Sequence, residues 1–122
     1  MQCLPMLYVD DVRRSSQWYR DLLDASHDHD NGDFDRILKG EAVLLMLHDR
    51  HAHEHGHGGA SHEAGSGIQL WFVVDNIRDA HARATALNAQ GLTQPTHNPN
   101  AHWTEFTMVD LDGYAVAIAA FG

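Results

Sequence analysis

Cysteine is nearly missing from this 122-residue chain: Cys3 stands alone, so no internal disulfide and no multi-thiolate metal site can form. Its apolar neighbours predict a small buried side chain rather than a nucleophile. Basic residues are also scarce, with 8 Lys and Arg against 17 Asp and Glu and a formal charge of −9. A field of that sign repels phosphate backbones, which excludes nucleic acid as an expected partner and suits a cationic ligand. Acidity of this kind also serves plain solubility. No run approaches ~20 apolar residues, so no membrane-spanning segment is expected. The opening Met1-Gln-Cys-Leu-Pro5 lacks the basic segment and apolar stretch of a secretory signal, which predicts a cytoplasmic protein. Gly-rich phosphate loops, a serine nucleophile elbow and a Cys-His pairing are missing too.

What the chain has is 43% hydrophobic residues, enough for the core of one domain, and a pattern that occurs twice. The last two segments, His102 to Val109 and Tyr114 to Ala119, alternate in the period of strands. The turn between them, Asp110-Leu111-Asp112-Gly113, has an aspartate able to bond its own backbone and a glycine suited to positive φ. From the start, Pro5 to Val9 reads as a strand, and Asp10-Asp11 caps a helix whose apolar face is Val12, Ser15, Ser16, Tyr19, Leu22 and Leu23. Asp24 to Asp35 holds five aspartates and the hairpin signal Asn31-Gly32, and two strands follow about Gly40. From Gly67 the order restarts: a strand over Ile68 to Val74, a cap at Asp75-Asn76, a helix from Ile77 to Leu87, a strand near Leu92 and the closing hairpin. Val9-Asp10-Asp11-Val12-Arg13 reappears as Val74-Asp75-Asn76-Ile77-Arg78, and Gly40 has its counterpart in Gly113.

The expected architecture is therefore α+β: two βαβββ modules forming curved mixed sheets with helices on the convex side. Residues 1–48 make the first module, 67–122 the second, and 49–66 a His-rich loop, all within one domain. Such paired modules resemble the vicinal oxygen chelate superfamily, which includes glyoxalases, extradiol dioxygenases and bleomycin-resistance proteins. The chain is most similar to the bleomycin-resistance-like branch, through Val9-Asp10-Asp11-Val12 with Trp18 to Leu22, Gln69 to Asp75, Asn98 to Ala101 and Asp110 to Tyr114. The resemblance covers nearly everything outside the His-rich loop.

In metalloenzymes of that family four side chains, from the first and last strand of each module, bind one divalent ion. The resemblance carries those positions to Leu4, Leu44, Gln69 and Ala117. Three of these have no donor and Gln69 offers a neutral amide oxygen, whereas such sites use several His or carboxylate ligands. The expectation is no metal, no cofactor and no catalytic residue, which argues against lyase or dioxygenase chemistry.

Alternation places Leu4, Met6, Tyr8, Ala42, Leu44, Met46, His48, Gln69, Trp71, Ala115, Ala117 and Ala119 on the concave faces, with Trp103 and Glu105 beside them. Val43, Leu45, Leu47, Leu70, Phe72, Val74, Val116 and Ile118 fall on the helix side. The candidate ligand-binding residues are Tyr8, Met46, His48, Gln69, Trp71, Trp103 and Glu105, an aromatic and sulfur surface beside alanines that leave room. Trp71 suits stacking on a flat or cationic guest, and Glu105 recognition of its charge. Asp110 and Asp112 read as turn residues. His51, His53, His55, His57 and His62 could capture a metal opportunistically, but their Gly-rich setting supplies no fixed geometry. The leading function is metal-independent binding or sequestration of a cationic or aromatic small molecule by a homodimer. The rival is a lyase or dioxygenase that recruits a metal through His48, Glu105 and the His-rich loop.

Overall fold

The computed structural model describes residues 1–51 and 67–121. The chain divides into two compact units, Met1–Ala64 and Gly65–Gly122. Each holds one four-stranded mixed sheet and one helix, which is the expected pair of βαβββ modules in an α+β fold. No described helix is long and apolar enough to cross a membrane.

In the first unit β1 (Met6–Val9) leads into α1 (Val12–Leu23), then β2 (Ser26–His27), β3 (Phe34–Lys39) and β4 (Ala42–Asp49). The sheet order is β1-β4-β3-β2, with β1 parallel to β4 and the other pairs antiparallel. Asp11 caps α1 by accepting from the Arg14 backbone N–H at 3.1 Å, and the helix ends at Asp24 in a left-handed conformation. Lys39 donates its Nζ to the carbonyl of Asp24 at 2.6 Å and so covers part of the helix's negative end. The six helix residues expected inside are buried, and Trp18 joins them with its ring edge-on to Tyr19 at 4.9 Å. The helix packs on β3 and β4, and Leu7, Val9, Ile37, Leu45 and Leu47 of the sheet are essentially buried. Fully burying an aliphatic side chain of this size contributes about 1.5–3 kcal/mol.

Between β2 and β3 the Asn31 side chain accepts from the backbone of Asp33 and Phe34, which turns the chain as Asn31-Gly32 predicts. The aspartates around it are tied elsewhere: Asp28 to Arg36, Asp30 to Arg13 and Asp35 to Ser16. In the β3–β4 hairpin the register shifts between Ile37 and Leu38, so that β4 carries one extra residue. Beyond that bulge the two sides exchange. Val43 pairs with Leu38 and shares its face with Arg36, not with the helix side where alternation had placed it, and Ala42 pairs with Lys39 on the opposite face.

In the second unit β5 (Gln69–Val73) precedes α2 (Ile77–Ala86), β6 (Thr96–Asn98), β7 (Trp103–Val109) and β8 (Ala115–Phe121), in the sheet order β5-β8-β7-β6. Asn76 caps α2 by accepting from Asp79 N–H at 3.1 Å, and Ala80 and Ala84 pack the helix down. His81 stands edge-on to Phe106 at 4.9 Å. The strand expected near Leu92 begins at Thr96 instead, because the segment before it is held by single contacts to β7: Gln90 bridges to Val109, and Thr93 donates its N–H to the Thr107 carbonyl. The closing turn is built as expected, with Asp110 Oδ1 accepting from the N–H groups of Asp112 and Tyr114 and Gly113 at φ +91°. Cys3, expected inside, is exposed, since β1 starts only at Met6.

Candidate functional site

Register settles which side chains share a face. In the second unit β5 runs parallel to β8, pairing Gln69 with Ala115, Trp71 with Ala117 and Val73 with Ala119. The β7–β8 pairing then sets Val109, Thr107, Glu105 and Trp103 opposite Ala115, Ala117, Ala119 and Phe121. All these residues lie on the face opposite Leu70, Val116, Ile118, Phe106 and Met108, which are buried. The open face is apolar and exposed: Trp71 is 42% accessible, Val73 54% and Phe121 73%.

Three rings form a row on this face. Trp71 and Trp103 are stacked with centroids 5.2 Å apart and planes 27° from parallel, and Trp103 meets Phe121 at 5.7 Å. Trp71 stands on β5 and Trp103 on β7, with β8 between them, so the indoles must lean toward each other over β8. Trp71 lies in the row of Ala117 and Trp103 in that of Phe121, so their backbones are two strands across and two rows along, ~16 Å apart, and the lean of both side chains closes that to the 5.2 Å between centroids. Ala117 and Ala119 lie on the same face and are wholly inaccessible. The alanines therefore do not leave a vacant hollow, as the sequence suggested; the indole pair occupies the space above them, and a guest on this face meets the rings.

Each indole N–H is held within its own strand. Trp71 Nε1 donates to Gln69 Oε1 at 2.8 Å, and Trp103 Nε1 donates to Glu105 Oε2 at 3.0 Å. Gln69, Trp71, Trp103 and Glu105 are thus brought together as one hydrogen-bonded and stacked group.

Tyr8, Met46 and His48 belong to the first unit. Met46 pairs with Met6 on one side and Arg36 on the other, and Tyr8 pairs with His48, their rings 5.5 Å apart. His48 is buried, and its Nδ1 donates to the Asp49 carbonyl at 2.8 Å, the behaviour of a strand-end residue. Arg36 is the cation of this face, and sequence reading passed over it although strand alternation from Phe34 points to it. It is held by Asp28 through two hydrogen bonds, one of them at 2.8 Å. The same bonds push the Asp28 carboxyl down from 3.8 to about 2 and raise Arg36. Phe121 was also passed over, and continuing the alternation from Ala115, Ala117 and Ala119 by one step would have found it.

The residues do not fit the divalent ion of the resembling metalloenzymes. Gln69 is registered with Ala115, two residues from Ala117. The choice of register leaves the chemistry unchanged, since Leu44, Met46, Ala115 and Ala117 include neither His nor carboxylate. Gln69 Oε1 already accepts from Trp71. Among the described residues no three His, Cys, Asp or Glu stand close enough together to hold a metal ion. The His-rich loop beyond His51 lies outside the described residues.

Comparison with known proteins gives the same architecture. No curated protein matches the chain. Among solved structures, a lactoylglutathione lyase from Agrobacterium tumefaciens is 19% identical, with 98% of this chain and 92% of that one covered and a TM-score of 0.73. A glyoxalase/bleomycin resistance protein/dioxygenase family enzyme from Burkholderia phytofirmans is 18% identical over 96% and 95% of the two chains, with a TM-score of 0.78. A genomically encoded fosfomycin resistance protein from Listeria monocytogenes is 11% identical over 100% and 93%, at 0.74. Identities this low carry the fold alone. The sequence model of the Glyoxalase/Bleomycin resistance protein/Dioxygenase superfamily matches residues 4–118, and the chain belongs to that superfamily.

Proposed function

We propose that this chain is a metal-independent small-molecule binding protein of the bleomycin-resistance-like kind, which sequesters a flat amphipathic guest on the open face of its second unit and acts as a homodimer. The observation that carries this reading is the stacked Trp71–Trp103 pair, held at its edges by Gln69 and Glu105 on a face with exposed Val73 and Phe121. Large aromatic surface turned outward is costly to keep in water and is the usual anchor of recognition. The donor set at the family's metal positions supports binding without Lewis-acid chemistry, because Leu4, Leu44 and Ala117 offer no ligand. The mechanism is burial: the guest covers the rings and is withdrawn from solution, with no bond made or broken.

The test joins metal analysis to titration. Untagged, chelator-washed protein is screened against flat aromatic compounds of positive, neutral and negative charge, and Trp71→Ala is compared with the parent. Binding should survive chelation, and Trp71→Ala should weaken it by ~2 kcal/mol, the size of a hot-spot truncation. Unchanged affinity in Trp71→Ala overturns the reading, as does stoichiometric metal retained by a variant whose loop histidines are replaced.

A further inference from the structure

The two indole hydrogen bonds fix the polarity of the face as well as the rings. An amide whose oxygen accepts from one side turns its NH₂ the other way, so the bond from Trp71 Nε1 to Gln69 Oε1 leaves Gln69 Nε2 as a presented donor. A carboxylate with one oxygen engaged keeps the other as an acceptor, so the bond from Trp103 Nε1 to Glu105 Oε2 leaves Oε1 as a further acceptor on this face. Gln69 lies on β5, and Glu105 on β7 in the row of Val73 and Ala119. Their backbones are two strands across and two rows along, ~16 Å apart from sheet spacing, and the indole pair runs parallel to that diagonal one row along, each ring bonded to the polar residue beside it. A donor stands beside one ring and an anion beside the other, along the edge of the stacked aromatic surface.

Among the described strand residues of this face, charge is confined to one. Of Gln69, Trp71, Val73, Thr96, Asn98, Trp103, Glu105, Thr107, Val109, Ala115, Ala117, Ala119 and Phe121, which the register places together, Glu105 alone is ionisable. A lone carboxylate beside apolar rings selects a positive partner, and the indole faces attract the same charge. The net charge of −9 brings cations toward the surface and turns anions away.

We infer that the guest is a planar organic cation, which rests on the binding function proposed above and names its ligand class. Its ring system lies on the Trp71–Trp103 pair, its positively charged or N–H edge meets Glu105 Oε1, and a carbonyl or ring-nitrogen acceptor on its far side meets Gln69 Nε2.

The experiment uses three flat probes of similar size, read by their own fluorescence: N-methylacridinium, a cation without an acceptor; an acridone methylated on its ring nitrogen, neutral with a carbonyl acceptor and no N–H; and anthracene carboxylate, an anion. Each is titrated into the full chain and into Glu105→Gln, Gln69→Ala and Trp71→Ala, with near-ultraviolet circular dichroism to confirm folding. In the parent the cation should bind at least about tenfold more tightly than the anion, and Glu105→Gln should cost the cation about tenfold while leaving acridone nearly unchanged. Gln69→Ala should weaken acridone and spare N-methylacridinium. Trp71→Ala should weaken all three. Equal losses of cation and acridone in Glu105→Gln, or a cation bound no better than the anion, overturn the inference and leave the binding face in place. Cation binding that ignores Trp71→Ala overturns it as well, since the probe then sits elsewhere on the acidic surface. Failure of all three probes to bind the parent sinks the proposed function itself.

Discussion

At the residue scale the side chain of Asp35, 1% accessible, is heavily hydrogen-bonded beneath α1. Its carboxylate accepts from Ser16 Oγ at 2.6 Å, His27 Nδ1 at 2.7 Å and the N–H groups of His29 and Arg36 at 3.1 and 2.8 Å. A buried carboxylate is tolerable only with such a set of donors, because desolvation without partners costs several kcal/mol. Ser16 in turn accepts from Arg20 Nε at 3.1 Å, so Ser16→Ala deprives two charged groups at once. The expected loss is about 1–3 kcal/mol of stability, read from urea unfolding. Asp28 presents the opposite case, a surface carboxylate held by Arg36. Its folded pKa, about 2 against an ordinary 3.8, is depressed, so the pair's contribution is complete above the ordinary value and disappears as pH falls through about 2. Carbon-detected NMR titration should place Asp28 near that value in the parent, and Arg36→Gln should return it toward 3.8. An unmoved Asp28 in that variant would show that the hydrogen bonds to Arg36 are not the cause.

At the element scale β8 explains both what alternation reveals and what it hides. The period of Ala115, Ala117 and Ala119 against Val116 and Ile118 is readable in the letters and correctly assigns the two faces. It is silent on side-chain rotation, so it cannot show that indoles from β5 and β7 lean over the alanines, nor that Phe121 extends the strand. The bulge in β4 was equally hidden, since one inserted residue changes faces without changing composition. The caps at Asp11 and Asn76 and the turn at Asp110 were legible because each depends on a single side chain bonding nearby backbone. β6 was misplaced because the segment before it is anchored through Thr93 and Gln90, long-range contacts with no local period. The position of the indoles yields a prediction: Ala119→Leu thrusts a larger side chain under the stacked pair, which should cost about 1–3 kcal/mol by overpacking. It should also part the rings and shift tryptophan emission to the red. Ala115→Leu, at the half-buried start of the strand, should change emission far less. Identical spectra for the two variants would mean that the rings do not rest on Ala119.

At the scale of the whole molecule, each unit has its own sheet, helix and buried side chains among the described residues. His51, at the start of the His-rich stretch, is exposed, with its N–H bonded to Asp49 Oδ1 at 2.7 Å and its ring 3.5 Å from Asp10. An ion pair this exposed contributes little, because water and salt screen it. The remaining histidines, His53, His55, His57 and His62, stand among Gly, Ala, Ser and Glu, which supply no apolar surface for a core. If folding belongs to the two modules alone, replacing all five histidines by serine should move stability by no more than about 0.5 kcal/mol, ~2 °C in melting temperature for a chain of this size. The measurement is calorimetry on chelator-treated protein, repeated with added Zn²⁺. Bound metal should raise the melting temperature of the parent only if the histidines hold it in the folded state, and the serine variant should then lose that rise while keeping its metal-free value. A metal-free melting temperature many degrees lower in the variant would make the stretch part of the fold, and the reading that the two modules alone carry stability would have to be abandoned.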